Sequence, residues 1–140
     1  LNSVAMKNTP DEGREREDLV VGTLEGKSAG SQILTNLHER LEDLCERYDF
    51  SLSYNDPYKG GFITQTYANP DEDIHVIQLE LKKQRYMDES LDGGDFNIHR
   101  HTIPQIKQFL SDLSYNLAYA VQRSVKTDDV TSQVSGNYSE

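Results

Sequence analysis

The stretch NDPYKGGFITQTYANPDEDIHVIQLELKKQRYMDE, residues 55–89, holds a glycine-rich turn, an apolar run and a basic-aromatic-acidic tail. Within it residues 74–81 read IHVIQLEL, and the apolar side chains of Ile74, Val76, Ile77, Leu79 and Leu81 predict a central strand covered on both sides. Upstream, Leu19, Val20 and Val21 stop at Gly22, which predicts a short buried strand. Ile33, Leu34, Leu37, Leu41, Leu44 and Cys45 then recur at three-four spacing, the mark of a helix with one apolar face, and Ser28 or Ser31 is placed to cap its start. Phe50-Ser51-Leu52-Ser53-Tyr54 alternates apolar and polar residues and predicts a second strand. Strand, helix and strand of these lengths make a parallel crossover unit. The expected fold class is therefore α/β, a mostly parallel sheet flanked by helices.

Around this unit the chain divides by composition. Residues 1–17 carry dense charge alternation without an apolar period and are expected to be a flexible lead-in, with one α/β domain over residues 18–125. Phe62-Ile63-Thr64 reads as a short extended piece, and residues 82–97 as a surface loop. A long helix starts after Thr102 with Pro104 in its first turn, and Ile103, Ile106, Leu110, Leu113, Leu117, Ala120 and Val121 form its expected core stripe. From Lys126 onward Ser, Thr, Asp and Gly predominate, so residues 126–140 are expected to be a disordered tail.

The net charge of −10, spread along 140 residues, excludes the clustered basic footprint that a nucleic-acid backbone requires, and it disfavours an anionic membrane surface. No apolar run approaches the length needed to span a bilayer, and the start, LNSVAMKN, lacks a basic region followed by an apolar one. The lone Cys45 has no partner for an internal disulfide and suits a reducing compartment, so the expected location is the cytoplasm. An open sheet edge would pair with a second copy of the chain or with a missing N-terminal half.

Side chains alternate along residues 74–81, so Gln78 and Glu80 share a side, with Glu80 nearest the C-terminal end, where open parallel sheets bind ligands. Two readings of Glu80 stand: a general base or acid, or a carboxylate answering Lys82, Lys83 or Arg85. Lys59-Gly60-Gly61 is either a plain turn or an anion site whose backbone amides are reinforced by Lys59. His75 is expected to pack within its strand and His38 to face solvent. His99 and His101 offer two imidazoles to a metal without an evident third ligand.

Taken in order, NDPYKGGFIT, IHVIQLEL and RYMDE, with DLVVGTLEGKSA upstream, resemble the C-terminal half of the N-formylglutamate amidohydrolase family. The resemblance implies part of a zinc carboxypeptidase-like fold and a small acidic N-acyl amino acid as substrate. It puts Glu80 on the position of the general base and proton shuttle. It also puts Lys59, Gly60, Gly61 and Tyr86 on substrate-binding positions, with Asp88 on a further matching position of unassigned role. Zinc is the implied cofactor. The family's ligands, two histidines and a glutamate, lie mainly upstream of the matched residues, and Val4 falls where the last histidine is expected, so no residue of this chain is assigned to the metal. The expectation is either the C-terminal part of a longer hydrolase or a metal-free binding or regulatory domain on the same scaffold.

Overall fold

The computed structural model describes residues 1–9, 11–89 and 97–134. Leu19–Gly22 forms β1, Ser31–Tyr48 forms α1 and Leu52–Tyr54 forms β2. β1 and β2 pair in parallel, Leu19 opposite Leu52 and Val21 opposite Tyr54, as the crossover pattern predicts. A short helix, α2, follows at Phe62–Tyr67, then β3 at Gln78–Leu81 and a long helix, α3, at Ile103–Val134. The sheet order is β2-β1-β3, so β1 is central.

Three elements differ from expectation. β3 runs antiparallel to β1, Leu19 opposite Leu81 and Gly22 opposite Gln78, so the small sheet is mixed; only the QLEL half of the IHVIQLEL run forms a strand, at the sheet edge, and His75 lies outside it. Residues 62–64, expected to be extended, begin α2, because Gly61 starts a helical turn in which Gln65 N–H donates to the Gly61 carbonyl at 3.0 Å. The N-cap of α1 is Gly30 with no side-chain cap, and neither Ser28 nor Ser31 serves.

Because paired residues on neighbouring strands point to the same side, Leu19, Val21, Leu52, Tyr54, Leu79 and Leu81 share one face. That face meets Leu37, Leu41, Leu44 and Cys45 of α1 and Ile106, Phe109 and Leu113 of α3 in the core. Each fully buried leucine there contributes about 1.5–3 kcal/mol relative to exposure. The rings of Phe50 and Phe109 lie 4.6 Å apart by centroid, with Tyr48 edge-on to Phe109 at 5.4 Å. Phe109 thus takes the central place the sequence pattern gives to Leu110, which is 46% exposed. Burial raises the Cys45 thiol to about 11, an inert core position.

Residues 1–17 pack rather than float. Ala5 N–H donates to the Arg14 carbonyl at 2.9 Å and Arg16 N–H to the Ser3 carbonyl at 2.8 Å. Arg16 is buried, makes two hydrogen bonds of 2.7 and 2.8 Å to the Asp11 carboxylate, and lies over the Tyr58 ring at 5.1 Å. The reason is pairing of charges that composition alone reads as solvated. α3 continues past residue 125 to Val134, and the rest of the expected tail, residues 135–140, lies outside the described residues. Residues 90–96 of the expected 82–97 loop lie outside them too. The remainder holds a 3-10 turn at Lys83–Arg85 and a bridge between Met87 and Ile98.

Candidate functional site

The glycine turn sits on the end of β1. A side chain on Gly22 would place its Cβ 2.9 Å from both the Gly60 nitrogen and the Lys59 carbonyl carbon, so two backbones touch there. Leu24 N–H donates to the Lys59 carbonyl at 2.6 Å, and Gly60 has φ +130°, a conformation L side chains rarely adopt. Asn55 fixes the facing loop: its Oδ1 accepts from Thr23 N–H at 2.8 Å and Glu25 N–H at 3.1 Å. A Gly22→Ala variant is expected to lose about 1–3 kcal/mol, read as a lower urea midpoint, because backbone cannot swing aside as a side-chain end can. An unchanged midpoint would mean that the close approach is absent in solution.

Antiparallel pairing changes where Glu80 stands. Gln78, not Glu80, lies opposite Gly22 at the C-terminal end of β1, and Glu80 lies one step back, opposite Val20. The expected position at the ligand-binding end of a parallel sheet therefore does not apply to Glu80 directly. It is joined to that end through Gln78. Gly61 N–H donates to Gln78 Oε1 at 2.9 Å, and Gln78 Nε2 donates to Glu80 Oε1 at 3.2 Å. Two of the three alternative partners of Glu80 reach other carboxylates: Lys82 reaches Glu15 at 3.3 Å and Asp18 at 3.8 Å, and Arg85 reaches Asp18. For Lys82 and Arg85 the structural ion pairing read as an alternative for Glu80 thus falls to Asp18 and Glu15.

Lys59 pairs with Glu25, and both side chains are more than half exposed. An ion pair this exposed is weak, so another carboxylate can replace Glu25 beside the ammonium. Lys59 also draws the Glu25 carboxyl below its ordinary range by hydrogen bonding. Tyr86 does not join this group. It lies beyond Leu81, which pairs with Leu19 at the opposite end of β1 from Gly22, and it packs half-buried against the core. The structure thus brings Lys59, Gly60, Gly61 and Glu80 into one connected row and leaves the expected substrate-binding Tyr86 outside it.

The sequence model of the N-formylglutamate amidohydrolase family matches residues 1–87, which include every member of this row. The chain belongs to the N-formylglutamate amidohydrolase family. Among the relatives of this family, the N-formylglutamate deformylase of Pseudomonas aeruginosa is 40% identical over 65 residues, 46% of this chain and 24% of that protein. That of Pseudomonas putida is 39% identical over 74 residues, 52% of this chain and 26% of that protein. The chain thus spans about a quarter of the length of these relatives. The crystal structure of N-formylglutamate amidohydrolase from Ralstonia eutropha has the same fold over 79% of this chain and 36% of its own, with TM-score 0.57 and 22% identity.

The zinc that resemblance to the amidohydrolase family implies finds no complete donor set here. Among the described residues no three His, Cys, Asp or Glu side chains come together as metal ligands. Val4, at the position expected for a histidine, is bridged to Glu15 and half exposed. His99 Nε2 is 2.6 Å from Asp88 Oδ1 and its ring stacks 5.9 Å from that of His101; His99 and Asp88, without His101, line a cleft of about 360 Å³ with Ser3, Val4, Gln84 and Glu89, and Gly61 is not part of that lining. The His99 contact also holds the Asp88 carboxyl below its ordinary range. His75 accepts from Gly30 N–H at Nδ1, 3.2 Å, and His38 lies against the Tyr54 ring at 4.1 Å rather than facing solvent.

Sequence reasoning puts Gln78 on the Glu80 side and gives it no role, and it passes over Asn55. The signals were present: an amide two residues from a carboxylate on one strand face, and an Asn able to take φ +57° at a strand end before Pro57.

Proposed function

We propose that this chain carries part of the working machinery of a hydrolase that cleaves the amide of a small acidic N-acyl amino acid, releasing formate from N-formylglutamate. The reading rests on one observation above others: the family-matched residues 1–87 place Glu80 in a hydrogen-bonded row with the Lys59-Gly60-Gly61 turn. In this reaction Glu80 takes a proton from the attacking water as the water oxygen bonds to the formyl carbon. The same carboxyl then gives a proton to the departing nitrogen as the C–N bond breaks, leaving formate and the free amino acid. Lys59 holds a substrate carboxylate in place of Glu25, with the backbone of Gly60 and Gly61 beside it. If zinc takes part, a full donor set needs residues beyond the described ones of this chain.

The cytoplasm is the proposed compartment, supported by the reduced, buried Cys45, and no helix of the described residues is long and apolar enough to cross a membrane. The absence of a three-residue donor cluster among the described residues favours a second reading, a metal-free domain that binds an acidic ligand at Lys59. Formate release from N-formylglutamate, measured with and without added zinc, separates the two. Glu80→Gln is expected to lower kcat by about 100-fold or more. Undiminished turnover in that variant removes Glu80 from the base role. Saturable binding of N-formylglutamate without formate release selects the second reading.

A further inference from the structure

We infer that Gln78 is a positioning residue that sets the orientation of the Glu80 carboxylate from the Lys59-Gly60-Gly61 turn. The inference rests on the reading of Glu80 as the base and deepens it.

The geometry fixes the amide of Gln78 from both ends. A backbone N–H only donates, so the group 2.9 Å from the Gly61 nitrogen must be the Gln78 oxygen. The NH2 group is then the end that faces Glu80 Oε1 at 3.2 Å, and a carboxylate oxygen accepts from it. Turning the amide over would set donor against donor and oxygen against oxygen at once. One conformation therefore satisfies both neighbours, and Glu80 is held through Oε1, leaving Oε2 as the oxygen for proton transfer.

The turn at the other end of this link has little freedom. Gly60 sits 2.9 Å from where a Gly22 Cβ would be, and a Cβ on Gly60 itself would lie 3.0 Å from Leu24 Cδ2 and 3.1 Å from Thr64 Cγ2. Thr64 is buried, and Leu24 N–H anchors the Lys59 carbonyl at 2.6 Å. None of these contacts involves Gln78, whose one tie to the turn is the bond from Gly61 N–H. Losing the Gln78 NH2 group alone therefore leaves Lys59 and its carboxylate seat in place and frees Glu80, whereas losing the whole amide also releases Gly61 N–H. For a positioning role this predicts a loss in kcat with KM held, the signature of an interaction that matters in the transition state.

Two variants divide the link. Gln78→Glu keeps an acceptor for Gly61 N–H and removes the donor to Glu80, whereas Gln78→Leu removes both. Both are expected to lower kcat for formate release by about 10–100-fold, and Gln78→Glu, which keeps the Gly61 bond, to do so with KM changed less than about 2-fold. A KM rise of about 10-fold with kcat unchanged overturns the inference, since Gln78 would then serve the substrate seat. A second measurement is independent of turnover. In the isotope-labelled full chain the Gln78 NH2 protons are expected to exchange slowly. In Glu80→Gln their resonances shift while the Gly61 amide stays protected. Gln78 NH2 resonances that exchange like those of a free glutamine and ignore Glu80→Gln overturn the inference whatever the turnover. If the coupling is present and the wild-type chain releases no formate, it is the hydrolase reading that fails.

Discussion

Replacing Phe109 by alanine is expected to lower the unfolding free energy by about 3–5 kcal/mol, a large share of what holds a domain of this size together. The ring is fully buried on α3 and packs against two other aromatic rings, Phe50 at 4.6 Å and Tyr48 at 5.4 Å between centroids. Removing it takes away apolar burial and leaves a cavity where the sheet and both long helices meet. Phe109→Leu, which keeps most of the volume, is expected to cost less than about 1.5 kcal/mol. Leu110→Ala on the neighbouring residue should stay within about 0.5 kcal/mol. Urea denaturation of the three variants checks this ordering, and equal effects at 109 and 110 would mean that α3 is rotated in solution.

Asp18→Ala is expected to cost about 3–5 kcal/mol, because one carboxylate ties together the ends of all three strands. Asp18 Oδ2 accepts from Ser51 N–H and Ser51 Oγ, both at 3.0 Å, and from Arg85, while Lys82 approaches Oδ1 at 3.8 Å. Lys82 is buried with 8% of its side chain exposed, so the variant leaves a buried ammonium facing the exposed Glu15 carboxylate without its buried counter-charge. Burial by itself would raise the Asp18 carboxyl, but the Arg85 and Ser51 donors outweigh it and hold the group below the ordinary carboxylate range. The native state therefore binds this proton less readily than the unfolded chain. Its contribution is complete above the ordinary Asp value of about 3.9 and is lost as pH falls through the lower native value. Asp11, held at about 2 by hydrogen bonding to Arg16, adds to the same acid limb. Asp18→Asn should flatten the fall of the thermal midpoint below about pH 4, and a midpoint curve parallel to wild type would sink the assignment.

Local pattern carried much of the fold. Apolar spacing located β1, α1, β2 and the start of α3, and the parallel β1–β2 pairing followed from the length of the crossover. The stretch 59–61 and Glu80 stood out by residue type and by resemblance to the amidohydrolase family. What spacing could not supply was direction. The run at residues 74–81 reads the same whether it pairs parallel or antiparallel, and the observed antiparallel register moves Glu80 away from the sheet end that a parallel strand would give it. Nor does a helical period choose between adjacent apolar residues, since Phe109 and Leu110 both lie near one stripe. The choice of Phe109 comes from the aromatic pocket made by Tyr48 and Phe50 on other elements.

The sequence by itself determined the strand-helix-strand unit and singled out the glycine turn and the acidic residue that the proposed reaction uses, because these follow from neighbours within a few positions. Only the tertiary structure decided that Gln78 joins the turn to Glu80, that Tyr86 stands apart, and that Asp18 rather than Glu80 holds Lys82 and Arg85. These depend on which residues from distant positions share a strand face, and strand direction fixes that through long-range hydrogen bonds that leave no period in the chain.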